Sequence, residues 1–145
     1  MSLDPGLDTS FGLVTPDWLD RRVAEGWKVF WQCLWTGGLA GNDGINAVAQ
    51  SNLRTYRQGG VDYGAYVNAS PPDWYPLSKQ MFHIRENAGA EWGPLVRVAT
   101  DLEIPRLTFE RAQALTQAIG AQGKDVRIGY TAAWFWRVYM WNKAD

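Results

Sequence analysis

An α/β fold built on parallel strands is the class this sequence predicts, and three features predict it. Five short runs rich in Val, Phe, Tyr and Ile alternate with segments of helical periodicity, the connections are short, and Gly or Pro marks most boundaries. Strands separated by single helices are joined by right-handed crossovers, which lay them side by side in one direction. The 145 residues, 46% hydrophobic with nine Trp and six Tyr, are enough for one core and one domain spanning residues 1–145.

The elements follow in order. Pro5 to Thr9 is a short first strand. Thr15 as cap and Pro16 in the first turn open a helix through about Glu25, which Gly26 closes. Trp27 to Cys33 is the second strand, followed by a Gly-rich loop, Thr36 to Gly44, and a helix from Ile45 to Gln58 that Gly59 and Gly60 end. Val61 to Val67 is the third strand, and Pro71-Pro72 breaks the chain before a helix from Tyr75 to Asn87. Leu95 to Glu103 is the fourth strand, Thr108 to Ala121 an amphipathic helix, Val126 to Tyr130 the fifth strand and Ala132 to Lys143 a last helix. The expected architecture is an incomplete, barrel-like (β/α) succession of five parallel strands, each followed by a helix.

Composition narrows the function classes. A formal net charge of -1 supplies no basic field for phosphates, so neither nucleic acid nor a membrane is an expected partner. One Cys and one His exclude an internal disulfide and a multi-histidine metal site; no metal and no cofactor are expected. Gly37-Gly38-Leu39-Ala40-Gly41 has neither the Lys of a phosphate loop nor the dinucleotide spacing. Cys33, inside an apolar run, reads as core filling, and His83 as an ordinary helix residue. The first residues lack a basic-then-apolar pattern, so no export signal is expected and the compartment is left unassigned.

Parallel α/β folds carry their chemistry at the carboxyl ends of the strands. Those ends hold Asp8, Gln32, Trp35, Tyr66, Asn68, Asp101, Glu103 and Tyr130, with Trp134 just beyond. Asp101 and Glu103 lie two apart on a strand, on one face, with backbones about 6.6 Å apart. Arg97 and Ala99 share that face, while Val96, Val98 and Leu102 turn toward the helices, and Phe30 and Tyr66 are expected to fill the interior. Two carboxylates held close repel, which keeps one protonated as a general acid, and acid plus carboxylate is the equipment for glycosidic bond cleavage. The alternative is an Asp-x-Glu that caps the next helix or pairs with Arg106. Trp35, Tyr66, Tyr130 and Trp134 can stack on a sugar face. Trp18, Trp27, Trp92 and Trp141 are assigned to packing, and Gln113, Thr116 and Gln117 to a solvated helix face.

Four segments carry a resemblance: Leu7-Asp8-Thr9-Ser10, Gly64-Ala65-Tyr66-Val67, the fourth strand ending in Asp101-Leu102-Glu103, and Ile128-Gly129-Tyr130-Thr131 with the aromatic run behind it. In order and spacing the sequence resembles the family 25 glycoside hydrolases, lysozyme-type muramidases. These are (β/α) barrels that cut the β-1,4 bond between N-acetylmuramic acid and N-acetylglucosamine in peptidoglycan. The resemblance implies Glu103 as the acid, Asp101 as nucleophile or stabiliser and Asp8 as a third carboxylate. It further implies Gln32, Trp35, Tyr66, Asn68, Tyr130 and Trp134 as substrate contacts, and action at a cell wall. Gln32 stands near the family's usual basic residue on strand two, and Val67 where a His often follows the strand-three Tyr. The family's barrel has eight strands against five here. The alternative function is therefore a carbohydrate-binding or structural module derived from that fold, and open edges at strands one and five suggest a homodimer.

Overall fold

Thr15 and Pro16 open the first helix as predicted. The Thr15 side chain accepts a hydrogen bond from the Trp18 backbone N–H at 3.2 Å, and Pro16 sits in the first turn, where no N–H is needed. The computed structural model describes residues 6–37, 46–102, 104 and 107–130. Their order is β1 (Gly6–Thr9), α1 (Pro16–Ala24), β2 (Val29–Trp35), α2 (Ala49–Gln58), β3 (Asp62–Asn68) and α3 (Leu77–Ala88). A 3₁₀ turn (Gly89–Trp92), β4 (Arg97–Asp101), α4 (Phe109–Gly120) and β5 (Asp125–Tyr130) follow. The expected helix from Ala132 to Lys143 lies outside the described residues.

All five strands pair in parallel, in the sequential order β1-β2-β3-β4-β5, and the sheet is not closed into a barrel. A sequential order with crossovers of one hand places every helix on the same face. The core shows that face: Phe30 packs with Leu19 and Tyr56, and Ala65, Val67 and Val98 pack with Leu53, Ile84, Leu115 and Ile119. Burying the apolar stripes of α1 to α4 on one side of the sheet is the main stabilising term. The opposite face carries none of the described helices.

Three expectations are corrected here. Phe30 is fully buried among the helices rather than inside the strand curve, because Trp31 takes the other face. Val96 is 63% exposed and precedes β4 instead of facing the helices. Its neighbour Leu95 is still tied to the 3₁₀ turn through its N–H to Glu91 O at 3.0 Å, so the strand starts at Arg97. Thr116 is half-buried and bonded to Thr100 at 3.1 Å, joining α4 to β4 rather than standing in solvent. The 3₁₀ turn itself was not predicted. Glu91, almost fully buried, anchors it to α2 through ion pairs with Arg54 at 3.3 Å and Arg57 at 2.8 Å.

Candidate functional site

Register and alternation decide which side chains share the helix-free face. Asp8 pairs with Trp31 and Trp31 with Gly64; Cys33 pairs with Tyr66 and Tyr66 with Ala99; Asn68 pairs with Asp101. The residues between them belong to the helix-side core, so these point the other way. Glycine at 64 has a packing reason: a Cβ there would come within 2.5 Å of the Trp31 ring, so only its absence lets the indole cross the strand.

At the carboxyl end of this face Tyr66 is the centre of a short chain. Its hydroxyl donates to Asp8 Oδ2 at 3.2 Å and lies 2.8 Å from Ser10 Oγ. A phenol has one proton, so with that proton on Asp8 the Ser10 hydroxyl donates to Tyr66. Asp8 keeps solvent-exposed surface, yet the groups crowding its carboxyl displace water and raise its pKa, against which the Tyr66 bond acts. Burial also pushes the Tyr66 phenol well above its ordinary value.

Cys33 shares this face, in register with Tyr66. Burial first, and to a smaller extent the negative charges of Asp8 and Asp101, push its thiol up to about 12, against the neighbouring Tyr66 hydroxyl, which works in the opposite direction. Asp8 and Asp101, far apart in sequence, therefore act on one buried sulfur from β1 and β4. Asp101 is only 4% exposed, and its backbone oxygen accepts from Ala69 N–H at 3.1 Å, which fixes the β4 end against the loop after β3.

Asp8, Tyr66, Asn68 and Asp101 thus share one face at the strand ends. Tyr130 is in register with Asp101 along the backbone. Glu103 and Trp134 lie outside the described residues, as does Arg106. Two expected substrate contacts are corrected. Gln32 is fully buried on the helix side, accepting from Thr9 at 3.0 Å and Asn52 at 2.7 Å and donating to the backbone oxygens of Ser10 at 3.0 Å and Cys33 at 2.9 Å. With every polar atom of its amide engaged, it has nothing to offer a ligand. Trp35 is also fully buried, edge-on to Tyr75 at 5.4 Å and stacked on His83 at 6.4 Å. A register shift between Cys33 and Trp35 turns the indole into the helix layer.

Compared with protein-family models, curated proteins and solved structures, the chain finds no match. What the face does chemically must be read from its own groups. Among the described residues no cluster of three or more His, Cys, Asp or Glu could hold a metal ion, and no helix is long and apolar enough to cross a membrane. A surface groove of about 680 Å³ lies along α3, lined by Met81, Phe82, Arg85 and Trp92, away from the strand ends. Its chemistry is apolar with scattered charge, so the carboxylate face is the stronger candidate.

Sequence reading missed the side chains that hold the site in place. Asn52 donates to Gly12 O at 2.8 Å and accepts from Val14 N–H at 2.8 Å, clamping the loop after β1 to α2. Asn46 donates to the same two carbonyls as Gln32, those of Ser10 at 2.6 Å and Cys33 at 2.7 Å. The signal for Asn52 was present: it shares the buried stripe of Ala49, Leu53 and Tyr56, where an amide must find partners.

Proposed function

We propose that this domain is a glycan hydrolase of the muramidase type, resembling the family 25 glycoside hydrolases, acting on the β-1,4 bond between N-acetylmuramic acid and N-acetylglucosamine. The observation that carries the reading is the register that brings Asp8, Tyr66, Asn68 and Asp101 to one helix-free face at the carboxyl end of a parallel sheet. Tyr66 supplies a neutral hydrogen-bond donor, and the helix-free side offers the polar and aromatic surface that sugars need. In this mechanism Glu103 gives its proton to the glycosidic oxygen as the bond breaks. The Asp101 carboxylate offsets the positive charge that develops on the sugar, or orients the substrate's own acetamido group. Water then adds at the anomeric carbon and returns a proton, so one water is consumed per bond cut.

Purified peptidoglycan incubated with the protein, followed by mass spectrometry of the soluble products, tests this. The expected result is fragments ending in a reducing N-acetylmuramic acid. Binding to the wall without such fragments supports the carbohydrate-binding module instead, and neither binding nor products removes the glycan reading.

A further inference from the structure

In the loop after β1, Phe11 and Leu13 are large and apolar, yet 54% and 61% exposed. The loop that carries them is fastened at every second residue. The Ser10 carbonyl oxygen accepts from Gln32 at 3.0 Å and from Asn46 at 2.6 Å. The Gly12 oxygen accepts from Asn52 at 2.8 Å, and the Val14 N–H donates to Asn52 at 2.8 Å. All three amides are buried. Backbone held at residues 10, 12 and 14 has little freedom to turn residues 11 and 13 inward, so the chain forgoes the stabilisation that their burial would give. The same loop belongs to the carboxylate site: Ser10, the residue before Phe11, is bonded through its hydroxyl to Tyr66, and Tyr66 to Asp8. By contrast the exposed Val23 and Phe82 sit on α1 and α3, and Val96 at the amino end of β4.

We infer that Phe11 is a stacking platform for the glycan, its ring covering the C–H face of a sugar on the β1 side of Asp8, with Leu13 extending the apolar contact. This rests on the glycan reading above and adds a residue that positions the substrate. The hydroxyls of a pyranose radiate from its rim, so an aromatic ring can cover the C–H face between them without stranding a polar group. Exposure leaves the Phe11 ring open to such a ligand. The fastening of its loop means that little ordering remains to be done when the sugar arrives, which favours binding.

Reducing-end release by the whole chain, measured against peptidoglycan concentration, tests this. Phe11→Ala is expected to raise the half-saturating concentration about fivefold while changing the maximal rate by less than about twofold. Phe11→Tyr should restore wild-type half-saturation and Phe11→Leu should not, because a flat ring rather than apolar bulk is required. Phe82→Ala removes a similarly exposed ring on α3 and is expected to leave half-saturation at the wild-type value. The unfolding midpoint of Phe11→Ala should equal that of wild type, since over half of the residue already lies in water. If wild type binds the wall without cutting it, the same comparisons are read from co-sedimentation with peptidoglycan. Unaltered half-saturation in Phe11→Ala, a lowered unfolding midpoint, rescue by Leu equal to that by Tyr, or the same rise in Phe82→Ala overturns the platform and leaves the glycan reading standing. Wild type that neither binds nor cuts peptidoglycan overturns both.

Discussion

The hydroxyl of Tyr66 on β3 donates to the carboxylate of Asp8 on β1 across the intervening strand. Cys33, the residue of β2 that pairs with Tyr66, lies beneath that contact. Burial raises the Asp8 pKa and the Tyr66 bond lowers it, with burial the larger. A carboxyl whose folded pKa lies above its unfolded value, about 3.9, favours folding below that value and loses the contribution as pH rises through the folded one. Asp8→Asn keeps an acceptor for Tyr66 without the charge. Its urea midpoint relative to wild type should therefore increase between pH 3 and pH 7. A relative midpoint that falls over that range would mean the Tyr66 bond outweighs burial.

Gln32 gives the sharpest stability expectation. Gln32→Leu has similar volume but takes one partner each from Thr9, Asn52 and two backbone oxygens in the interior. Thr9 keeps Trp31 O and Tyr56, and both carbonyls keep Asn46, so the group left unpaired is the Asn52 N–H that faced Gln32, and a loss of about 1–3 kcal/mol is expected. Denaturant unfolding checks this, and a loss under about 1 kcal/mol would show that the Asn52 N–H is satisfied without Gln32.

Cys33 should behave as a spectator. With its thiol pushed up to about 12, the thiolate fraction at pH 8 is on the order of one in 10⁴. Labelling by a thiol-specific disulfide reagent is expected to be negligible in the native protein and complete in urea. Rapid native labelling would instead make Cys33 a candidate nucleophile.

The order of the strands and the βα rhythm were legible because turn residues and helix caps act locally, as Thr15 and Pro16 do, whereas the ends of β2 and β4 were displaced by about two residues. The facing of β2 was not. Phe30 and Trp31 are both large and apolar, so alternation could not say which meets the helices, and a strand covered on its helix side carries no polar mark. The irregularity between Cys33 and Trp35 then shifted the period by one, which moves a side chain to the other face. For that reason Trp35 was read as a sugar platform when it is core. Asp8, Tyr66, Asn68 and Asp101 were legible because they stand at the ends of β1, β3 and β4, where parallel sheets place chemistry.

β1 and β5 each pair on one side among the described residues, which leaves two parallel edges for association. Light scattering at micromolar concentration is expected to give the mass of a dimer, and a monodisperse monomer would contradict pairing through these edges.

The most direct measurement is the rate of reducing-end release from purified peptidoglycan by wild type, Glu103→Gln and Asp101→Asn, each first shown to be folded. Wild type is expected to release reducing ends, and each substitution to lower the rate by about 100-fold or more, with triacetylchitotriose binding retained in Glu103→Gln. No release by wild type, or release at the wild-type rate by both variants, would contradict a glycosidic site at the ends of these strands.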